Sequence, residues 1–455
     1  MHRSVVGFGL VALAIGCAAP AAAQGVITDA RRIGMGGLSL GRSGSLRRYN
    51  AAYRAVPAEG GQRGQPRLTI PIPFGLIQFF HDHPHITKDP AFNPDSAGFN
   101  PVVVVNTLLN LPLFYEVKHA PTPTNDVIFT IGKDFLAVDL GEAQKLVPED
   151  QFGIGGSSRL LDPGFGIKGV RVSVMGWLHD EVGFRLGDTL LAFLREAEPA
   201  QDSTRYSVLG DATLEAGFAP TVGYAGRVAG DTAWGLYLGG ALHYYLGVAY
   251  TRVSGDGGFI TGDTIFGGPN PVTPDAQGLT QYSKGGNAFG HGVGADIGIA
   301  WVSGPIELGL GVNDIGATLT WPDTRLESWF YRDSTIAGNG PLVSYSTLVA
   351  PHAETKTKLP VSYIANVAYT VGNSTLGANV LNGGRGTTVH VGGEQRIGVF
   401  VLRGGVARDQ RKRLEFGWGG GARLGPVSLD LGFWTHTNSL SNQRAITMAT
   451  SLSIY

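Results

Sequence analysis

The sequence predicts an all-β fold, a transmembrane antiparallel β-barrel of about 14 strands with an N-terminal plug on the periplasmic side. Three observations support this fold class: an export signal, a glycine-rich and charge-poor composition, and long segments that alternate with period two. Glycine supplies 69 of the 455 residues, and charged residues make up 16%, below the roughly 25% of soluble domains. Mean hydropathy is +0.06, and beyond residue 25 no apolar run has the length of about 18 that a spanning helix needs.

The N-terminus has the form of a secretory signal peptide. His2 and Arg3 precede an apolar stretch from residue 5 to 15, and three alanines at 21–23 match the small-residue cleavage pattern. We therefore expect export and removal of residues 1–23. The alternative is a lipoprotein junction at Cys17, the one cysteine of the chain. Cleavage after Ala23 would leave a mature chain without disulfides.

Period-two alternation dominates the C-terminal half. In 306–312, isoleucine, leucine and valine alternate with Glu307 and glycines, and 292–301 and 427–433 repeat the pattern. Successive side chains of a strand point to opposite faces, so each segment has one apolar and one small or polar face. A periplasmic β-sandwich or propeller would alternate in the same way. Segment 234–250, however, exceeds both the roughly 5–6 residues of a soluble strand and the roughly 9–11 that cross a membrane.

About fourteen such segments follow the N-terminal region. They lie at 67–80, 126–140, 165–178, 212–228, 233–250, 287–302, 305–319, 359–371, 373–382, 386–395, 397–408, 412–424, 426–437 and 443–454. An even number places both termini on the periplasmic side. Polar stretches at 254–286 and 322–358 are interpreted as long outer loops, and 188–198 as a short amphipathic helix. The predicted parts are a signal peptide (1–23), a plug or hatch segment (24–66) and an outer-membrane barrel (67–455).

Three stretches resemble the FadL-like superfamily of outer-membrane barrels, with the closer likeness to its PorV/PorQ-type branch. Residues 30–38 are similar to its opening A-R-x-x-G-M-G-G, which precedes a plug. Residues 294–316 resemble its D-x-G and G-x-x-x-x-N-x-G hairpin, and 392–405 its G-x-E and L-R-x-G pair. One departure is that Asn50-Ala51-Ala52 stands where the family has Asn-Pro-Ala, so the proline that would fix the turn is missing.

The resemblance implies a barrel in the bacterial outer membrane, surrounded by its lipid and inserted by the outer-membrane assembly machinery. Some members admit hydrophobic small molecules to the membrane through a lateral opening. The expected function is therefore a plug-gated conduit for hydrophobic or small amphipathic solutes. The alternative is a non-transporting, PorV-type accessory barrel whose partners are secretion-system proteins. Neither function implies a cofactor.

Charged residues on the predicted inward faces are the candidate lumen residues. An arginine or lysine on the lipid face would cost of order 2–4 kcal/mol at the bilayer midplane, so these charges should point inward. With the plug they form the set Arg31, Arg32, Asn50, Arg171, Asp296, Glu307, Glu394, Arg413, Glu415 and Asp430. Two interpretations remain open: the lumen charges pair with each other or with plug arginines, or they contact a permeant.

Other chemistry has little support in the sequence. His81, His83 and His85 alternate in a way that suits a metal, but Pro84 interrupts them and a solvated loop explains them as well. The sequence contains no Gly-x-Ser-x-Gly elbow and no His-Glu-x-x-His motif, so an enzyme is not expected. The net charge of −1 and the lack of a basic block argue against a nucleic-acid partner.

Overall fold

The computed structural model describes the greater part of the chain. The described residues are 29–42, 45–57, 68–72, 74, 77, 81, 115–118, 128–132, 135–139, 152–196, 198–231, 233–262, 272–283, 289–332, 343–384, 386–410, 414–435 and 445–455. The predicted signal peptide lies outside them.

Within these ranges there are twenty β-strands, two α-helices and two 3₁₀ helices. The strands are β1 (Leu68–Ile72), β2 (Tyr115–Lys118), β3 (Ile128–Gly132), β4 (Phe135–Asp139), β5 (Phe152–Leu161), β6 (Gly164–Ile167), β7 (Val170–Leu186), β8 (Arg205–Gly230), β9 (Trp234–Thr261), β10 (Val272–Ser283), β11 (Gly290–Ser303), β12 (Ile306–Arg332), β13 (Val343–Lys358), β14 (Ser362–Val371), β15 (Ser374–Asn382), β16 (Thr387–Ile397), β17 (Phe400–Arg408), β18 (Leu414–Leu424), β19 (Val427–Thr435) and β20 (Ala445–Ile454). The helices are α1 (Ala30–Gly34), α2 (Asp188–Arg195) and the 3₁₀ turns Ser45–Arg48 and Ala51–Arg54. Neither α-helix of the described ranges is long and apolar enough to span a membrane.

Eighteen of the strands form one antiparallel barrel wall. β1 with β2, β5 with β6, β10 with β11, and β13 with β14 are each two pieces of one wall strand, because both pieces pair with the same neighbour. Four composite and ten single strands make fourteen wall positions, numbered here from β1/β2 to β20. The predicted barrel class is thus confirmed.

The predicted count contains two compensating errors. Segment 126–140 is not a wall strand, because β3 and β4 form a hairpin in a separate sheet. The second wall position is instead β5/β6, which the alternation did not reveal. Segment 165–178 was taken as one strand, but a turn at Lys168-Gly169, with φ of 51° and 89°, divides β6 from β7.

The wall alternates as the sequence predicts in the part that faces lipid. On β12, Leu308 and Leu310 are exposed on the outer face, whereas Glu307 is buried on the inner face. Glycines occupy the next inward positions, 309 and 311. The outer surface therefore forms the apolar band that a bilayer requires, and the polar groups are turned away from it.

The wall is much taller on one side than on the other. β9 and β12 have 28 and 27 residues, whereas β15 and β17 have 9 each. The stretches 254–286 and 322–358 were predicted as loops, which is wrong for most of their length, because the strands continue through them. Polar side chains and glycines are frequent on both of their faces, so no regular hydrophobic alternation marks them.

The two ends of the barrel differ as expected. Tight turns with glycines at positive φ, such as Gly304 (52°) and Gly425 (61°), connect strands at the end where β1 begins and β20 ends. In outer-membrane barrels, short turns of this kind lie at the periplasmic end. At the other end, α2 packs Leu190 and Phe193 against Tyr206 of β8, and confirms the predicted helix there.

Candidate functional site

The N-terminal segment lies inside the barrel, close to the short turns. We call residues 29–57, as described, the plug. Its apolar side chains are fully buried against the wall: Ile33 packs with Trp434, and Tyr53 packs with Tyr237 and Ile364. The plug therefore occupies part of the barrel interior.

Inward-facing glycines let the plug backbone approach the wall. A Cβ atom added to Gly405 would lie 2.2 Å from the carbonyl oxygen of Met35, and one added to Gly417 would lie 2.3 Å from that of Ile33. Gly36 itself has φ of +65°, and its added Cβ would meet the backbone of β17 at 2.7 Å. The high glycine content of the inner face is thus explained by contact between two backbones.

Arg31 anchors the plug to a buried charge network. Its guanidinium donates to Glu394 through Nη2 at 2.8 Å and Nε at 3.1 Å. Glu394 also accepts from Arg396 at 2.7 Å and Arg403 at 3.3 Å, and Arg403 pairs with Asp430 at 2.7 Å. Burial alone would lower the pKa of Arg31, but the Glu394 carboxylate raises this pKa above its usual value. Three cations and two acids hold this side of the plug.

Glu307 binds the plug through its backbone. One carboxylate oxygen accepts the N–H of Gly41 at 2.8 Å, and the other accepts the N–H of Arg42 at 3.0 Å. A charged acceptor makes each of these bonds stronger than a neutral one. The Arg42 side chain donates to the carbonyl oxygen of Gly304.

Asn50 uses its whole side-chain amide. Its Nδ2 donates to the carbonyl oxygens of Ile299 and Leu310 at 3.1 and 3.0 Å, on two adjacent wall strands. Its Oδ1 accepts the N–H of Ala52 and so caps the 3₁₀ turn Ala51–Arg54. The turn therefore forms without the proline that the resembled family has at this place. The amide nitrogen of Asn50 binds the wall, and its amide oxygen caps the turn.

Three further plug contacts were not anticipated from the sequence. Asn366 donates to the Tyr53 hydroxyl at 2.6 Å, the His390 Nδ1 lies 2.6 Å from the carbonyl oxygen of Gly36, and Arg54 pairs with Asp162 at 3.2 Å. Burial raises the pKa of Tyr53, and Glu307 raises it further. Asn366 and His390 stand on inner faces between uncharged neighbours, and Asp162 lies between β5 and β6. No sequence pattern therefore marked these residues as partners of the plug.

The remaining predicted residues have varied positions. Arg32 donates to the carbonyl oxygen of Gly37, and Glu415 is buried on the inner face. Arg171 is partly exposed and bonds the carbonyl oxygen of Asp162 rather than a plug residue. Arg413 lies outside the described residues.

The predicted histidine cluster cannot be assembled from the described residues. His81 is exposed, and His83 and His85 lie outside the described ranges. Among the residues that the structure describes, no group of three or more histidine, cysteine or acidic side chains could hold a metal.

β5 crosses the barrel above the plug. The N–H of Ser157 donates to the carbonyl oxygen of Gly383 at 3.2 Å, and the Gln410 side chain bonds both the N–H and the carbonyl of Gly155. β5 belongs to the second wall position, while Gly383 joins the ninth and tenth. These positions are opposite in a barrel of fourteen strands, so the outer end of β5 bends inward over the lumen.

Arg159 of β5 ties this crossing strand to the wall and to the plug. Its guanidinium donates to Asp296 at 2.5 and 2.8 Å and to Asp314 at 3.0 Å. It also donates to the carbonyl oxygen of Arg48 in the plug at 2.9 Å. The Nε2 atom of His243 lies 2.7 Å from Asp296. Of these residues the sequence identified Asp296, but not the arginine that pairs with it.

A buried apolar and aromatic cluster lies above the plug. It comprises Met175, Trp177, Ala219, Tyr245, Tyr250, Ala317, Leu319, Trp321 and Leu359. Tyr250, Trp321 and Trp434 lie near strand ends in the sequence, where aromatic residues of a barrel commonly face the membrane interface, but all three are buried. An irregularity between β8 and β9, where Ala216 and Gly217 pair with Ala249 and Gly247, turns Tyr250 inward.

Comparison with known proteins gives weak likenesses. No protein-family profile and no curated protein matches the chain. Similar solved structures are the Ralstonia pickettii toluene transporter TbuX (10% identity, TM-score 0.32, 71% of this chain and 96% of that one) and the CymD monoaromatic hydrocarbon channel (12%, 0.31, 71% and 95%). The Pseudomonas putida toluene transporter TodX is similar at 10% identity and TM-score 0.30, covering 70% and 94%.

Proposed function

We propose that this chain is a conduit for hydrophobic or small amphipathic solutes in the bacterial outer membrane, gated by its plug. The observation that carries the proposal is that a plug and a cluster of apolar and aromatic side chains follow one another along the lumen. The plug closes the periplasmic end, and the buried cluster that contains Trp177, Tyr245 and Trp321 lies above it. Apolar side chains along a path favour apolar solutes, because transfer of the solute surface from water to such side chains is favourable.

The contacts between the plug and the wall are non-covalent, as a gate that opens and closes requires. They are hydrogen bonds and ion pairs to side chains such as Glu307 and Glu394, together with close packing on a flat glycine surface. No covalent bond need break for the plug to shift. The chain from the plug to β1 also leaves it attached to the wall at Leu68, so a displaced plug can return.

The proposed route from the lumen into the membrane lies between the first and second wall positions. In the ranges that the structure describes, no ladder joins β1 or β2 to β5 or β6. The inward bend of β5 takes its outer end away from this side of the wall. An apolar solute that leaves the lumen here would enter lipid directly, without crossing the plug. The plug would then control the remaining path to the periplasm.

The proposal includes where the chain is located and which partners it has. The outward apolar band fits lipid on all sides, and the outer-membrane assembly machinery would insert the barrel. The accessory-barrel alternative has one observation in its favour. The tall side of the wall, formed by β9, β10, β12 and β13, extends beyond the bilayer and offers a broad sheet to a secretion-system protein.

A disulfide between plug and wall tests the gate. A Cβ atom built on Gly34 lies 3.5 Å from the Cβ of Arg403, within the range that disulfides require. The variant Gly34→Cys with Arg403→Cys would be expressed in Gram-negative cells, and uptake of labelled ethylbenzene by intact cells would be measured. We expect uptake to stop on oxidation and to resume on reduction.

The comparison is made within one protein, so the loss of the Arg403 ion pairs affects both states equally. Gly34→Cys alone is the control and should not respond to oxidation. Equal uptake by the oxidised and reduced double variant would contradict gating. Uptake no greater than in cells without the chain would contradict a conduit and favour the accessory role.

A further inference from the structure

A group of arginines lies between the plug and strands β7 and β8 of the wall. Its members are Arg47, Arg48 and Arg54 of the plug and Arg171 of β7. Arg171 is the second residue of β7, near the short-turn end of the barrel, and pairs directly with Gly223 of β8. A Cβ atom added to Gly223 would lie 3.2 Å from Nη1 of Arg54. Because residues directly opposite each other share a face, Arg171 and Arg54 are neighbours on the inner face.

The positive charge of this group is largely uncompensated. In the part of the chain that the structure describes, one carboxylate pairs with it: Oδ2 of Asp162 lies 3.2 Å from Arg54 and 3.7 Å from Arg171. Arg47 and Arg48 donate to the backbone carbonyl oxygens of Val56 and Arg159, which carry no charge. Three of the four positive charges therefore have no carboxylate of their own.

The arginines act unfavourably on one another. Burial lowers the pKa of Arg47, and the charge of Arg171 lowers this pKa further. Burial also lowers the pKa of Arg54; Asp162 opposes this effect, whereas Arg171 adds to it. A guanidinium nevertheless stays protonated in proteins, so the repulsion remains. An anion placed among these side chains would reduce it.

The group is open to solvent. In the buried clusters, the apolar side chains of the plug pack toward wall strands from β9 to β20, as the contacts with Tyr237, Ala300 and Trp434 show. Toward β7 the plug presents arginines instead. Arg48 is exposed, and the side chain of Arg171 is 30% exposed. A small anion in water can therefore reach the guanidinium groups without displacing a packed side chain.

We propose that this group binds the phosphate of a small solute at the short-turn end of the lumen. Guanidinium groups form paired hydrogen bonds with phosphate oxygens. A phosphate monoester has three terminal oxygens and a charge near −2 at neutral pH, so it matches several uncompensated cations better than a carboxylate does. Arg47, Arg54 and Arg171 donate to these oxygens. A membrane lipid is not the occupant, because the arginines face the lumen.

The inference goes beyond the proposed conduit, since binding can be measured whether or not the solute is transported. Equilibrium dialysis of the purified full chain in uncharged detergent micelles measures it. Phenyl phosphate and benzoate share an aromatic ring and differ in the anionic group, and empty micelles correct for partition. We expect phenyl phosphate to bind about tenfold more tightly or better, as one additional charge-assisted hydrogen bond implies. Added salt should weaken the binding by screening.

Two substitutions that break the same ion pair should have opposite effects. Arg171→Gln should weaken the binding of phenyl phosphate about tenfold, because a donor is lost. Asp162→Asn should strengthen it, because the carboxylate that competes for Arg54 and Arg171 is removed. A purely structural role would move both variants in the same direction. Arg252→Gln removes an exposed arginine from β9 and is the matched control, which should bind as the wild type does.

Phenylglyoxal, which modifies accessible arginines, provides a test on the wild-type protein. Phenyl phosphate should protect Arg48 and Arg171 but not Arg252, and this result does not depend on the folding of a variant. Heat-modified mobility on electrophoresis shows whether each variant folds.

The site is wrong if phenyl phosphate is not preferred to benzoate, if folded Arg171→Gln binds as the wild type does, if folded Asp162→Asn binds no more tightly than the wild type, or if the arginines are not protected. Displacement of phenyl phosphate by phosphatidylglycerol would overturn a soluble occupant. Uptake by intact cells tests the conduit separately, so binding without uptake contradicts the conduit alone.

Discussion

Arg31 of the plug and Glu394 of β16 form a two-point ion pair in the lumen although they are 363 positions apart in the chain. Both side chains are almost wholly buried, at 8% and 2% exposure. The N-terminal segment is therefore held at a specific place on the wall rather than merely enclosed by it. Several measurable consequences follow from contacts of this kind.

Removal of the Arg31 charge should loosen the plug. In Arg31→Met, Glu394 keeps Arg396 and Arg403, so we expect a cost near the lower end, about 3 kcal/mol, for breaking a buried pair. Hydrogen exchange in micelles should show faster exchange of plug amides. Arg42→Met is the control, because that side chain bonds one exposed carbonyl. Unchanged protection in Arg31→Met would show that the ion pair does not hold the plug.

Adjacent glycines of β17 provide a matched steric test. A Cβ atom on Gly405 would collide with the Met35 carbonyl at 2.2 Å, whereas one on Gly404 has nothing within 4 Å. We expect Gly405→Ala to destabilise plug seating by about 1–3 kcal/mol, as overpacking does, and Gly404→Ala to have no effect. Protease sensitivity of the plug in micelles measures the difference. Equal sensitivity of the two variants would contradict the close backbone contact.

Plug seating should depend on pH through Tyr53. Burial raises the pKa of this phenol, so the folded state favours the neutral form. Its contribution is complete below the unfolded pKa of about 10 and decreases above it, by about 1.4 kcal/mol per pH unit. A fluorophore attached at Arg42→Cys would report plug release. Tyr53→Phe should remove this pH dependence, and a profile that is the same with phenylalanine would exclude Tyr53 as its source.

Arg159 should contribute to the free energy of unfolding by holding β5 across the lumen. Arg159→Gln leaves Asp296 and Asp314 buried without their shared cation, and we expect a loss of about 3–5 kcal/mol. Asp296→Asn in the same protein should recover about 1–3 kcal/mol, because one uncompensated charge is removed. Urea unfolding in micelles measures both. Strictly additive effects of the two substitutions would show that these residues do not interact.

Some site residues could be predicted from the sequence because a local pattern marks them, and others could not because their partners lie far away in the chain. Glu307 stands among glycines in a strict alternation, so its inward position is a local property of β12. Arg159 follows an irregular run of glycine and serine, and its acidic partners lie 137 and 155 positions away. Neither alternation nor spacing reports such a contact. The arginine that organises the crossing strand was consequently missed.

The wrong direction inferred for Tyr250 and the wrong bounds inferred for the outer strands have similar causes. Tyr250 continues the apolar phase of 234–248 in the sequence, but a strand irregularity at Gly247 reverses its direction. β10 and the outer part of β12 carry polar side chains on both faces and have no regular hydrophobic alternation, so they were interpreted as loops. Hydrophobic periodicity detects strands where one face contacts lipid. It does not detect bulges or strands in water.

The conductance of single barrels in planar lipid bilayers tests the central claim that the plug closes the lumen. Protein that lacks residues 29–57 would be compared with the complete mature chain, after heat-modified mobility has shown that both fold. We expect the complete chain to pass little ionic current and the deletion to open a large, steady conductance. Equal conductance in the two proteins would contradict the account, because the plug would then not be what blocks the barrel.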